Sequence, residues 1–133
     1  MSAEGAPDFV METAWVIEAT YAPDAAESRV PVRAEHLARA ARLKRDGVII
    51  EVGGYTDVSG SLLVVRAASG EEALAIARED PYIREGVWVE LRARQLGRVA
   101  IVGEPGARAA GVDRAAGPAA DPGTGPAAGP AAV

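Results

Sequence analysis

The stretch Val48-Ile49-Ile50-Glu51-Val52-Gly53-Gly54-Tyr55-Thr56-Asp57-Val58-Ser59-Gly60-Ser61-Leu62-Leu63-Val64-Val65-Arg66-Ala67 decides the fold. Its first five residues form a mostly β-branched run, which suits a pleated, packed surface. Residues 62–67 are almost continuously apolar and read as a strand buried on both faces. Between the two runs lie Gly53-Gly54, Asp57, Ser59 and Gly60, the residue types that make turns. The segments 48–53 and 61–67 are therefore expected to pair as a hairpin.

A helix is expected on each side of this hairpin. Upstream, residues 32–46 show helical period. Leu37, Ala40, Ala41 and Leu43 form an apolar stripe, and Glu35, Arg39, Arg42 and Asp46 form a solvated face with two i,i+4 pairs of opposite sign. Pro31 suits a first helical turn, Gly47 suits a left-handed cap, and residues 23–30 read as a loop. Downstream, Ser69-Gly70-Glu71-Glu72 fits a capping box, Ala73, Leu74, Ile76 and Ala77 face inward, and Pro81 ends the helix.

One more strand lies outside each helix. In residues 14–21, Trp15, Ile17, Ala19 and Tyr21 alternate with Val16, Glu18 and Thr20. In residues 87–94, Val87, Val89, Leu91 and Ala93 alternate with Trp88, Glu90, Arg92 and Arg94. Gly97 is expected to interrupt this last strand, with residues 99–102 continuing it. The order β-α-β-β-α-β is the ferredoxin-like pattern of an α+β protein: a four-stranded antiparallel sheet with two helices on one face. Val, Ile, Leu or Trp from every strand is available to the other face, so a homodimer packed sheet against sheet is expected.

Composition bounds the rest. Of the 133 residues, the last 31 contain 11 Ala, 7 Gly and 5 Pro, with Ala-Ala-Gly-Pro recurring at 115–118 and 127–130. The division expected is a flexible lead over 1–11, a domain over 12–103 and a disordered tail over 104–133. Net charge is −5, and acids interleave with the 13 arginines and one lysine, so the basic stripe that nucleic-acid binding needs is absent. With no cysteine, disulfides, thiolate metal sites and cysteine nucleophiles are excluded. One histidine and no cysteine argue against a transition-metal site, carboxylates being left as ligands for Mg²⁺ only, and no cofactor is expected: Gly53-Gly54 is followed by no phosphate-binding lysine. The first eight residues lack the basic and apolar regions of a signal peptide, and no apolar run has the roughly 20 residues that span a bilayer. The expectation is a cytoplasmic protein without membrane or nucleic-acid partners.

Two residues stand out chemically. His36, the only histidine, borders the apolar stripe of the first helix. Asp80 falls on the inward side of the second helix, at its C-terminal end, where the dipole disfavours an acid that has no partner. The topology sets the two helices side by side, so His36 and Asp80 can meet at the sheet edge. A carboxylate on one imidazole nitrogen fixes the tautomer and leaves the other nitrogen as a general base. The alternatives are a packing histidine bonded to a carbonyl, and a turn-capping aspartate that takes nearby N–H groups such as those of Ile83 or Arg84. Tyr21, Tyr55, Tyr82 and Trp88 either line a pocket for an aromatic or polyketide-like substrate or pack in the core.

Arg33-x-x-His36-Leu37, Leu43, Asp46-Gly47, Gly53, Gly60-Ser61, Ala73, and Asp80-Pro81-Tyr82 before Gly86-Val87 together resemble the YciI-like (YCII-related) family, over about residues 14–95. The resemblance implies the dimeric α+β barrel form of the ferredoxin-like fold and a His-Asp pair in a cleft. One characterised relative eliminates HCl from a chlorinated hydroxyhydroquinone, and the wider superfamily includes muconolactone isomerase, which moves protons without a cofactor. Carried over by position, His36 and Asp80 are the catalytic pair, Arg33 holds an anion or substrate, and Ser61 is a polar residue of the cleft; Tyr82 joins the substrate-binding group. Many relatives have Gly-Pro where this chain has Gly53-Gly54. The function expected is a small cofactor-free lyase or isomerase that acts on a small molecule. A non-catalytic dimeric module that binds a small ligand or serves a partner enzyme is the alternative.

Overall fold

A long strand, β1 (Phe9–Tyr21), runs through the middle of the molecule. The computed structural model describes residues 8–104. Along β1, Trp15, Ile17, Ala19 and Tyr21 are buried and the residues between them are half-buried, as the alternation predicts. β1 begins at Phe9, so residues 9–11, expected in the lead, belong to the sheet. They are held by antiparallel pairing with the end of the last strand, Phe9 opposite Ile101 and Met11 opposite Val99. The remainder of the lead and the tail beyond Glu104 lie outside the described residues.

After β1 the chain makes a short helix, α1 (Ala25–Ser28), and a 3-10 turn (Val30–Val32), where a loop is expected. Pro31 sits in that turn, and α2 (Arg33–Arg45) follows it directly. The residues of α2 that face inward match the expected stripe only at Ala40 and Leu43. Leu37 and Ala41 are exposed, whereas His36 and Ala40 are buried and Leu43 is half-buried. These positions recur at intervals of three and four, so the helix is turned by about one residue from the hydropathy reading. Neither expected i,i+4 pair forms among the described residues: Glu35 bonds Arg84, and Arg39 turns inward. Gly47 closes the helix at φ 82°.

The hairpin is present as β2 (Ile49–Gly54) and β3 (Gly60–Val65). β3 is buried on one face only, since Ser61, Leu63 and Val65 are covered while Leu62 and Val64 are half-exposed. α3 (Gly70–Arg78) is capped by the Ser69 hydroxyl, which accepts the Glu72 N–H at 3.1 Å, and the Glu72 carboxylate accepts the Ala68 N–H at 2.6 Å. A further short helix, α4 (Pro81–Arg84), precedes β4 (Trp88–Ile101). Gly97 does not break β4. It pairs with Thr13, because the long partner strand carries the ladder past it.

The sheet order is β2-β3-β1-β4 with every neighbour antiparallel, which is the ferredoxin-like α+β topology. The core lies between one face of the sheet and the helices, built from Trp15, Ile17, Val65, Tyr82 and Val87 with small Ala73 and Ala77 from α3. The other face is less apolar than expected: Val16, Leu62 and Val64 share it with Glu18, whose carboxylate meets Arg92 at 3.4 Å. Trp88 is not part of that face. A register shift between Thr20 and Tyr21 sets Thr20 opposite Glu90 and Tyr21 opposite Trp88, so Val89 is an extra residue, 58% exposed. The bulge reverses the alternation and sends the Trp88 ring into the core. Among the described residues, no helix is long and apolar enough to cross a membrane.

Candidate functional site

Asp80 has a local reason for its place. Pro81 fixes the first position of α4, and Asp80, extended at φ −76° and ψ 140°, is its N-cap, with Oδ1 accepting the Tyr82 N–H at 2.8 Å. The acid thus stands at the start of a short helix as well as past the end of α3. The N–H it caps belongs to Tyr82, not to Ile83 or Arg84. It is buried, 3% exposed, and takes two further donors. His36 Nδ1 lies 2.7 Å from Oδ1, and Arg39 Nη1 donates to Oδ2 at 3.3 Å while Arg39 Nη2 is anchored on the Ile76 carbonyl at 2.7 Å. Three donors converge on one carboxylate; with Asp80 as the acceptor, His36 Nδ1 is the donor, and in the neutral ring the lone pair is then on Nε2. No hydrogen bond to Nε2 occurs among the described residues.

The imidazole is held flat by aromatic rings. Tyr82 stacks on His36 with centroids 3.7 Å apart and planes 6° from parallel, and Trp88 meets the ring edge-on at 5.5 Å. Behind them runs a polar chain: Trp88 Nε1 donates to Ser61 Oγ at 3.2 Å, and Ser61 Oγ donates to the Tyr21 hydroxyl at 3.1 Å. Burial pushes the Tyr82 hydroxyl above the ordinary phenol range and Tyr21 adds to the shift, with Arg33 and Arg29 opposing it. Tyr82 therefore stays a neutral phenol across the physiological range.

His36 and Tyr82 border an open cleft of about 340 Å³ between α2, the β2–β3 turn and the segment that follows β1. Its walls include Tyr21, Arg29, Arg33, Tyr55, Val58 and Ser61. A Cβ at Gly54 would sit 3.2 Å from the Tyr21 hydroxyl oxygen, so a side chain there would press on the cleft wall. Val58, at φ 61°, holds a backbone conformation that a β-branched side chain rarely adopts, and its side chain packs onto the core beneath the turn.

Of the residues singled out from sequence, His36, Arg33, Ser61 and Tyr82 line this one cleft, and Asp80 lies behind His36 and Tyr82. Tyr21 and Tyr55 also line it, while Trp88 supports Ser61 from within the core. Two residues were not anticipated. Arg29 gives no sequence signal in a segment without period, and Arg39 reads as a solvated charge although it is anchored on Asp80. Among the described residues, no group of three His, Cys, Asp or Glu side chains converges to hold a metal ion.

The geometry defines a small α+β protein with a carboxylate-held imidazole at the wall of a polar and aromatic cleft. Residues 13–96 match the YCII-related domain, and the chain belongs to that family. No curated protein gives a significant match. Among solved structures, the chain resembles the 5-chloro-2-hydroxyhydroquinone dehydrochlorinase of Burkholderia phenoliruptrix AC1100, solved in complex with 2,5-dihydroxybenzoquinone. The two share 24% identity over 61% of this chain and 90% of that one, with a TM-score of 0.52, a likeness of fold.

Proposed function

We propose that the cleft is a cofactor-free proton-transfer site of a lyase or isomerase acting on a small, aromatic-like substrate. The observation that carries this reading is the 2.7 Å contact between His36 Nδ1 and Asp80, made by a ring that borders an open cleft. His36 Nε2 removes a proton from a carbon next to a carbonyl, or from a phenol. Asp80 keeps the tautomer and stabilises the imidazolium that forms. In an elimination, the electron pair of the broken C–H bond becomes the new double bond and the leaving group departs as an anion. In an isomerisation, the imidazolium returns the proton to a different carbon. Arg33 holds negative charge on the substrate, Tyr82 fixes the plane of the imidazole, and Ser61 presents a polar group on the cleft wall. The elimination catalysed by the structurally similar dehydrochlorinase is chemistry of this class.

The test is a screen of enolisable ring acids and halogenated quinols in D2O, read by NMR for deuterium uptake or halide release. His36→Asn is expected to lower the rate about 10²–10⁴-fold with the fold retained by circular dichroism. An unchanged rate in that variant overturns the reading. It would favour the second one, a non-catalytic ligand-binding module, for which the burial of His36 (7% exposed) between Tyr82 and Trp88 speaks.

The same reading has two chains pack through the half-exposed Val16, Leu62 and Val64 face as a homodimer. Light scattering is expected to give twice the chain mass, and a stable monomer at micromolar concentration would sink this assembly.

A further inference from the structure

The cleft carries a charge opposite to that of the whole protein. Net charge is −5, yet among the described residues the only formally charged side chains that line the cleft are Arg29 and Arg33, and no carboxylate of those residues lines it. Neither arginine has a hydrogen-bonded or ion-pair partner for its guanidinium among the described residues, although Arg39, Arg66, Arg84 and Arg98 all find acids. Arg29 is half-buried, and a half-buried guanidinium with no acid beside it bears a desolvation cost that an incoming anion would relieve. Arg33 opens α2, whose N-terminus has no side-chain cap; a cation at that end opposes the helix dipole, so local helix energetics do not favour it. Both arginines share the cleft lining with Tyr82, whose ring stacks on His36. A cleft lined by one sign of charge with low-dielectric walls focuses its field on a ligand of the other sign. Its volume, about 340 Å³, stands at the small end of the roughly 300–1,000 Å³ that ligand pockets span, the scale of a single ring.

We infer that the cleft selects a small, single-ring organic anion, a carboxylate or ionised phenol, and that Arg29 together with Arg33 sets this selectivity. The inference rests on the proposed small-molecule site and names its substrate class. Two guanidiniums, one from the residue before the 3-10 turn and one from the first residue of α2, present N–H donors to a planar oxyanion, and the flat Tyr and His rings suit a flat ligand. In a proton-transfer reaction the same pair faces the charge that develops when a proton leaves the ring.

The test compares 4-hydroxybenzoate with its neutral isostere 4-hydroxybenzamide on the full-length protein, read by the NMR shift of the Trp88 indole N–H. That group donates to Ser61 on the cleft wall, so it reports occupancy without any turnover. The benzoate is expected to bind at least about tenfold more tightly, as charge-assisted bonding requires. Arg29→Gln should erase most of this preference, Arg29→Lys should restore part of it, and Arg84→Gln, outside the cleft, should leave it intact. Equal affinities for the two probes, no shift with the benzoate, or a preference unchanged in Arg29→Gln would each overturn the inference. His36→Asn separates it from the catalytic reading. Loss of turnover with the anion preference retained supports both claims, whereas retained turnover with the preference intact removes the catalytic claim alone.

Discussion

Two buried acids anchor two ion networks at opposite ends of the first strand's reach, and they are built to different ends. Glu12, 5% exposed, is bonded by Arg66 and by Arg98 at 2.6 Å, and Arg98 reaches on to Glu104 at 2.6 Å. Arg66 also donates to the Gly47 carbonyl at 2.8 Å. Two acids and two bases close on one another, and the network ties β1, β4 and the residue after β3 together where β1 and β4 run on past β3 as a two-stranded ribbon. Asp80, 3% exposed, has a comparable set of donors in His36, Arg39 and the Tyr82 N–H. One of these donors, however, is a ring with a second nitrogen, and that ring borders a cleft. Burial and pairing alone do not mark a working site. In the proposed function, what sets the Asp80 network apart is a partner ring whose second nitrogen takes no hydrogen bond among the described residues.

A crossed experiment is the strongest way to break this comparison. Glu12→Gln leaves two arginines facing no buried acid and is expected to cost about 3 kcal/mol of stability, read as a lower urea midpoint, with ligand binding in the cleft unchanged. Asp80→Asn keeps the shape of the carboxyl but removes its charge. It should lose most of the turnover and shift the imidazole ¹⁵N resonances as the tautomer is released. Should Glu12→Gln abolish cleft binding as fully as Asp80→Asn abolishes turnover, the division of labour between the networks would be wrong.

The smallest expected effect sharpens the closed network through pH. The Arg98 hydrogen bond, with help from the Ile101 N–H, holds the Glu104 carboxyl below the usual carboxylate range. A group whose folded value is depressed contributes stability that is fully present above its unfolded value, about 4.3 for Glu, and lost as pH falls through the folded one. Acid unfolding of the native chain should therefore be steeper below that range than in Glu104→Gln. Identical acid limbs would show that this outer link adds nothing.

The sequence makes some of this architecture legible and hides the rest for physical reasons. The alternation of β1, the β-branched arms of the hairpin and the Ser69 cap are local signals, and the chain follows them. His36 and Asp80 are legible because a lone histidine beside an apolar stripe and an acid before a proline are each locally odd. Their approach follows from the topology, and the structure brings them together at 2.7 Å. Arg39 is not legible, because the acid that draws it inward is 41 residues away. The inward face of α2 is misjudged for a related reason: Leu37 and Ala41 are apolar, but the position over the sheet goes to the residue that reaches Asp80. Arg29 is illegible because its segment has no period to read.

The bulge at Val89 sets two reading frames on one strand. On the ribbon side of that residue, β4 alternates in step with the first strand. On the other side, the parity is inverted, and Trp88 turns toward Ser61 and His36. A frame offset confined to one residue decouples the two halves of the strand. Substitutions that tune the ribbon keep their own inside and outside, and the indole behind the cleft keeps its orientation. Deleting Val89 would merge the frames with Trp88 still opposite Tyr21, so the indole would keep its side while the strand lost the local bend that the extra residue gives.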